Sequence, residues 1–204
     1  MNEAEFEKFV KSECKKHGIK ILLSNSKKIY WDDEKKNECS GYFDEANLTL
    51  ACAKKNSHYF TVLIHEYCHM TQYLDNCKEW SDSNKHNSHG VMEEWLLGID
   101  HDNIEFYLGL CRDVELDNEK RAVKLIKKLE LPVDINLYIQ KSNAYVQFYN
   151  YLLYSRKWCT TDTSPYSLSS IYSKMPTKFN MRYDRISKKV KRIFDEAYGT
   201  KESK

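Results

Sequence analysis

Residues that turn a chain are scarce in this sequence: six glycines and three prolines among 204 residues, about 4% against roughly 12% in average proteins. A fold of many short strands joined by tight turns is thereby disfavoured, and long helices are expected. Charge of one sign is missing too. Thirty-two lysines and arginines face thirty aspartates and glutamates, a net +2, so a chain-wide electrostatic hold on nucleic acid is not indicated, though local patches stay open. No apolar run approaches the roughly 20 residues of a membrane-spanning helix. The longest uncharged stretch, Ser142 to Ser155, contains two asparagines and a glutamine. The first nine residues hold three glutamates and no apolar core of a signal peptide, so secretion is not expected. No C-x-x-C pair occurs among the seven cysteines, which excludes zinc ribbons and thioredoxin-like redox sites. Their odd number suits reduced thiols in the cytoplasm of a cell or a virus-infected cell.

What is present suffices for a packed domain. Hydrophobic residues make up 41% and aromatics 13%, which argues against disorder. Residues 2–17 have helical spacing, with Phe6, Phe9 and Val10 on one side. Ile19 to Leu23 has strand length and composition, and a polar connection follows from Ser24 to Glu38. Gly41 to Phe43 and Leu48 to Ala53 suggest a hairpin or an interrupted strand pair. From Ser57 a strong helical pattern begins, with Phe60, Leu63, Ile64, Tyr67 and Leu74 on one face, ending near Asp75-Asn76. Cys77 to Gly90 is polar and suggests a long loop. Further helices are expected at Val91 to Leu97, Asn103 to Leu110, Asp113 to Leu131, from Ile135 or Ser142 to Trp158, and at Tyr183 to Tyr198. Thr160 to Thr177, rich in Ser, Thr and Tyr, reads as a loop. No repeat or linker is visible, so a single α+β, mostly helical domain is expected over 1–204: an N-terminal helix and small sheet (1–56), a central helical part (57–131) and a C-terminal helical part (132–204).

The sharpest motif is His65-Glu66-Tyr67-Cys68-His69. Histidines four apart on a helix point the same way, so both imidazoles can reach one Zn²⁺. The glutamate beside the first is then placed to take a proton from a zinc-activated water. H-E-x-x-H should arise by chance in about two of a hundred chains of this length, and here it also sits in mid-helix after an expected strand. The plainer alternative is a pair of half-buried histidines on a structural helix.

Catalytic zinc usually takes a third protein ligand. Asp75 would need the helix to turn sharply after His69, yet the pattern continues to Leu74. His86 and His89 lie in a polar stretch that favours solvation. Glu93, Glu94 and Glu105 are not singled out by any stripe. The helix expected at Asp113 to Leu131 gives a stronger candidate pair. Its apolar stripe Ala122, Ile126, Leu129, extended backwards, lands on Glu119 and Glu115, while Asp113, Asp117, Lys120, Lys124 and Lys127 take the wet side. Carboxylates on a buried stripe are costly unless a metal or a donor compensates them. Tyr145 and Tyr149, one turn apart, are available as hydrogen-bond donors to an oxyanion.

The fragments TVLIHEYCHMTQ and VELDNEKRAVKLI together resemble the gluzincin branch of zinc metallopeptidases. The pattern is more specifically similar to uncharacterised metallopeptidases encoded by bacteriophages, including Asn143-Ala144-Tyr145 and Arg156-Lys157-Trp158. The likeness covers roughly Gly41 to Trp158. It implies a zincin-like fold whose small sheet packs on the H-E-x-x-H helix, with His65, His69 and Glu115 as zinc ligands. It also implies Glu119 as the acidic residue behind them and Glu66 as general base. Many gluzincins carry aspartate where Glu119 stands, so the two glutamates' roles could be exchanged. Tyr145 is the expected oxyanion donor.

The reading that follows is a zinc-dependent metallopeptidase hydrolysing peptide or protein substrates, with no membrane partner. One rival is a non-catalytic zinc protein, structural or inhibitory, with four protein ligands. Another is a DNA-associated protease held by the basic C-terminal helix of Lys188, Lys189, Lys191 and Arg192. A solvated face is the commoner use of such a helix, so nucleic acid is not the expected partner.

Overall fold

The computed structural model describes residues 1–31 and 38–199. Part of the expected polar connection, residues 32–37, lies outside the described residues. The fold is α+β and mostly helical, with a small sheet of few strands. The chain divides into two compact units, Met1–Asn76 with Arg121–Val133, and Cys77–Lys120 with Asp134–Lys204.

In the first unit, α1 (Glu3–Lys16) opens with a capping box between Asn2 and Glu5, which satisfies two otherwise orphan N–H groups. It buries Phe6, Val10 and Cys14, spaced one turn apart. The sheet has β5 (Thr49–Ala53) at its centre, parallel to β1 (Lys20–Ser24) and antiparallel to β4 (Gly41–Asp44), so the second pair is a hairpin. All five residues of β5 are buried, as a strand covered on both faces requires. At the turn, the Asp44 carboxylate accepts from the backbone N–H groups of Ala46 and Asn47. A two-residue ladder joins β2 (Ile29–Tyr30) to β3 (Glu38–Cys39).

Helix α2 (Tyr59–Asp75) packs against β4 and β5 and carries His65 to His69. Phe6 meets Phe60 and Tyr67 edge-on at 5.8 and 6.1 Å. The helix ends where Asn76 turns left-handed at φ 45°, a conformation asparagine tolerates better than most residues.

The second unit corrects the sequence expectation at several places. Cys77 to Gly90 is not a loop: α3 (Lys78–Lys85) and α4 (Ser88–Leu96) flank a left-handed Asn87. Residues 77–90 lack an apolar stripe because Ser83 and Ser88 are what they bury, hydrogen-bonded to each other. The two helices expected at 103–110 and 113–131 are one, α5 (Ile104–Lys128). No glycine or proline lies between Leu110 and Asp113 to stop it.

α6 (Ile135–Ser155) is capped by Asp134. The short α7 (Ser169–Tyr172), which buries Ile171 within the stretch expected to be a loop, and α8 (Lys188–Tyr198) close the chain, α8 starting later than expected, at the Ser187 cap. The core of this unit gathers Trp95, Leu108, Phe148, Tyr151, Ile171 and Phe194, with Tyr151 stacked on Phe194 at 4.9 Å. Among the described residues no helix is long and apolar enough to cross a membrane.

Candidate metal centre

The first unit brings His65, Glu66 and His69 together. Each offers a ligand atom, and these atoms lie within 4.8 Å of one another. His65 is half-buried, while Glu66 and His69 are buried. The two imidazoles meet edge-on through their Nε2 atoms, 3.1 Å apart.

His69 Nδ1 lies 2.9 Å from Oε1 of Gln72, a residue with no exposed surface. An amide oxygen only accepts, so Nδ1 carries the hydrogen and Nε2 holds a lone pair aimed at His65. Two ligands of one tetrahedral zinc, each at 2.0–2.1 Å, would be about 3.3 Å apart. The observed Nε2 spacing and the nitrogen-rich donor set therefore fit that ion. Gln72 was missed at the sequence level, although a ligand histidine normally gives its second N–H to an acceptor. The position one turn beyond His69 was the place to look for one.

Gly41 of β4 sets the floor against which Glu66 rests. A Cβ at position 41 would come within 2.9 Å of Glu66 Cγ and 2.6 Å of Val62 Cγ1. The strand thus approaches the helix at the residue beside the first histidine, and glycine permits that approach.

The second unit gathers the other expected residues. Glu115 and Glu119 are both buried on α5, the latter with no exposed surface, as the stripe predicts. Ser142 Oγ donates to Glu119 Oε2 at 2.6 Å, and the Tyr166 hydroxyl donates to Glu119 Oε1. Tyr149 donates to Glu115 Oε1 at 3.4 Å. Its phenol is pushed well above the ordinary tyrosine range by burial, and then by Tyr145 and Glu115 nearby, so it stays protonated as a donor. The Tyr145 hydroxyl is 3.4 Å from that of Tyr149, and its ring lies against Tyr166 at 4.7 Å. Tyr166 had no signal in the sequence beyond its place in a Ser/Thr-rich stretch between prolines.

The remaining candidates are occupied elsewhere or exposed. Asp75 pairs with Arg121 at 2.6 Å. Glu94 pairs with His101, and Glu93 and Glu105 are exposed. His86 and His89 are exposed as well, the first against the Phe106 ring, the second near Ser83 Oγ. A further trio, Cys77, Glu79 and Asp117, brings ligand atoms together in the second unit. It lacks histidine, and Lys78 and Lys120 line the same hollow, a poor setting for a cation. No protein-family model, curated protein or solved structure matches the chain.

Proposed function

We propose that the protein is a zinc-dependent metallopeptidase of zincin-like fold acting on peptide or protein substrates. The observation that carries this reading is the pair of Nε2 atoms 3.1 Å apart, one fixed in its tautomer by Gln72, with a buried carboxylate beside them. His65 and His69 would hold the ion, and the resemblance to gluzincins supplies Glu115 as the third ligand.

The hydrogen bonds within the second unit support that order of the two glutamates. Glu119 already receives Ser142 at 2.6 Å and Tyr166, whereas the tyrosine contact to Glu115 is longer, 3.4 Å. A carboxylate held by two hydroxyls is suited to the position behind a ligand. Bound zinc would polarise a scissile carbonyl and ease the deprotonation of water at neutral pH.

The chain's own residues do the rest. Glu66 takes a proton from water and returns it to the leaving amine. Gln72 keeps the His69 lone pair directed at the ion. Tyr145 offers its hydroxyl to the oxyanion, a role in which a removed donor typically costs about 10²–10³ in rate.

Metal analysis after purification without chelators tests the reading. One zinc per chain is expected in the wild type and in Glu66→Gln, with loss in His69→Ala. Glu115→Ala should weaken zinc binding severely, and Glu119→Ala by about 10–100-fold. On any substrate found, Glu66→Gln should retain zinc and lose roughly 10²–10⁴ in rate. A metal-free wild type would overturn the proposal, and an inverted order of the glutamate variants would exchange their roles.

A further inference from the structure

Near the C-terminus the charge is not balanced. Between Lys174 and Arg192 the sequence carries eight lysines and arginines against one acid, Asp184. The whole chain is only +2, so everything outside this segment is net negative. Such asymmetry points to a polyanionic partner.

The segment has an unusual means of support. From Ser173 to Ser187 it forms no regular helix or strand. Four side-chain amides on one face of α6, at spacings of three, four and three, hold its backbone instead. Gln140 donates to the carbonyls of Ser173 and Met175, and Asn143 to those of Pro176 and Lys178. Gln147 donates to Arg182 O at 2.7 Å, and Asn150 to Tyr183 O at 2.9 Å. Asn143, Gln147 and Asn150 are buried. This rail satisfies carbonyls that would otherwise be costly to bury. It also fixes the direction of the strap before any partner arrives, which lowers the ordering cost of docking.

What the rail presents is cationic. Lys174 and Arg192 pair with Glu196, Lys191 with Asp195, and Arg182 with Asp184. Lys178, Arg185, Lys188 and Lys189 are exposed, and of these only Arg185 has an acid near it among the described residues, Asp184, which Arg182 already pairs. Lys188 and Lys189 also stand in the first turn of α8, which contains no acid. There the helix dipole disfavours cations, a local cost that an anionic partner would relieve.

We propose that the surface running from Lys178 to Arg192 is a docking site for the phosphate backbone of a nucleic acid. The apolar residues of the segment favour this over a lipid surface. Met175, Val190, Ile193 and Phe194 are buried, Met181 and Ile186 pack on the same core, and no large apolar side chain between 173 and 199 is exposed. An element that lies in a membrane interface needs apolar side chains to insert.

The test uses the full chain and a fluorescently labelled 20-base-pair DNA duplex, read by anisotropy at several salt concentrations. Four phosphate contacts predict a slope of about −3.6 in log affinity against log salt, roughly a hundredfold loss between 50 and 200 mM. The variant Lys178→Gln/Arg185→Gln/Lys188→Gln/Lys189→Gln should melt at or slightly above the wild-type temperature, keep the zinc content and lose this binding. A control removing four exposed helix-surface charges elsewhere, Lys8→Gln/Lys15→Gln/Lys124→Gln/Lys127→Gln, should bind within about twofold of wild type. Absence of binding at 50 mM salt overturns the proposal. So does binding that survives the quadruple variant, or an equal loss in the control. Binding to vesicles of phosphatidylcholine and phosphatidylserine without binding to the duplex would overturn it in favour of a membrane. None of these outcomes depends on the metal-site reading, which is tested by zinc content alone.

Discussion

Replacing Gly41 by alanine adds one carbon at the place where the sheet meets the H-E-x-x-H helix. Gly41 has no positive φ, so its backbone conformation is open to alanine and the contact alone decides the outcome. The new Cβ would lie 2.6 Å from Val62 Cγ1, 2.9 Å from Glu66 Cγ and 3.1 Å from the backbone oxygen of Ala51. None of the three yields readily. Val62 is β-branched and stiff at χ1 in a helix, Glu66 is buried, and Ala51 O belongs to the central strand. Either β4 must draw back from α2 or its pairing of Gly41 with Cys52 must shift. Overpacking of this kind costs about 1–3 kcal/mol, and the reduced entropy of the unfolded chain returns about 0.4–1 kcal/mol. The net loss should be about 1–2 kcal/mol, a fall of roughly 2–8 °C in melting temperature for a chain of this size. Because the closest contact is Val62 Cγ1, Val62→Ala should make room. The double variant should then be more stable than the sum of the single changes allows, by about 1 kcal/mol. Thermal melts of the four proteins measure this cycle. A Gly41→Ala protein melting within 1 °C of the wild type would refute the reasoning, as would strict additivity of the two changes.

Two further outcomes follow from buried amides. Gln72→Leu leaves the His69 Nδ1–H without its acceptor, so zinc affinity measured against a competing chelator should fall about 10–100-fold, while Gln72→Glu, which keeps an acceptor, should hold affinity closer to wild type. Wild-type affinity in Gln72→Leu would remove the orienting role. Asn143→Ala takes two hydrogen bonds from the carbonyls of Pro176 and Lys178 and one from the Tyr183 hydroxyl. With those half-buried groups left without Asn143, a loss of about 1–3 kcal/mol is expected from urea unfolding; a change under about 0.5 kcal/mol would mean that the rail does not hold the strap.

Periodicity made α2 readable because Phe60, Leu63, Ile64 and Tyr67 repeat along a face that meets α1 and the sheet, and because an asparagine stands where the helix stops. It failed at 77–90, where the buried side chains are serines paired with each other, invisible to any pattern built on apolar residues. α5 was divided in two for a different reason. Its N-terminal part buries Leu108 and Cys111 in the core of the second unit, whereas Ala122 and Ile126 belong to the part assigned to the first. The buried stripe runs on through Glu115, Asn118 and Glu119 between them, and a stripe that turns polar in its middle looks like an end. The strands Ile29–Tyr30 and Glu38–Cys39 are too short for alternation to register.

The candidate site divides along the same line between what a single helix reveals and what only tertiary contact supplies. His65, Glu66 and His69 share one helix, so their spacing alone put them on one face. The burial of Glu115 and Glu119 was legible by extending a stripe, because a helix that is buried at Ala122 and Ile126 carries the same face one and two turns back. Their partners were not legible. Ser142 and Tyr149 come from α6, and Tyr166 from the irregular stretch after it, between 23 and 47 residues along the chain from the carboxylates they reach. Nothing in the local sequence marks a hydroxyl as the one that will face a buried acid. The physical requirement nonetheless runs in one direction: a carboxylate on a buried stripe must find donors or a cation. Glu119 finds two hydroxyls. Glu115, one turn away, receives the Tyr149 hydroxyl. Helical spacing treats the two carboxylates alike, because both stand on the same buried face, so their order at a metal comes from the resemblance to gluzincins and from the variants that test it.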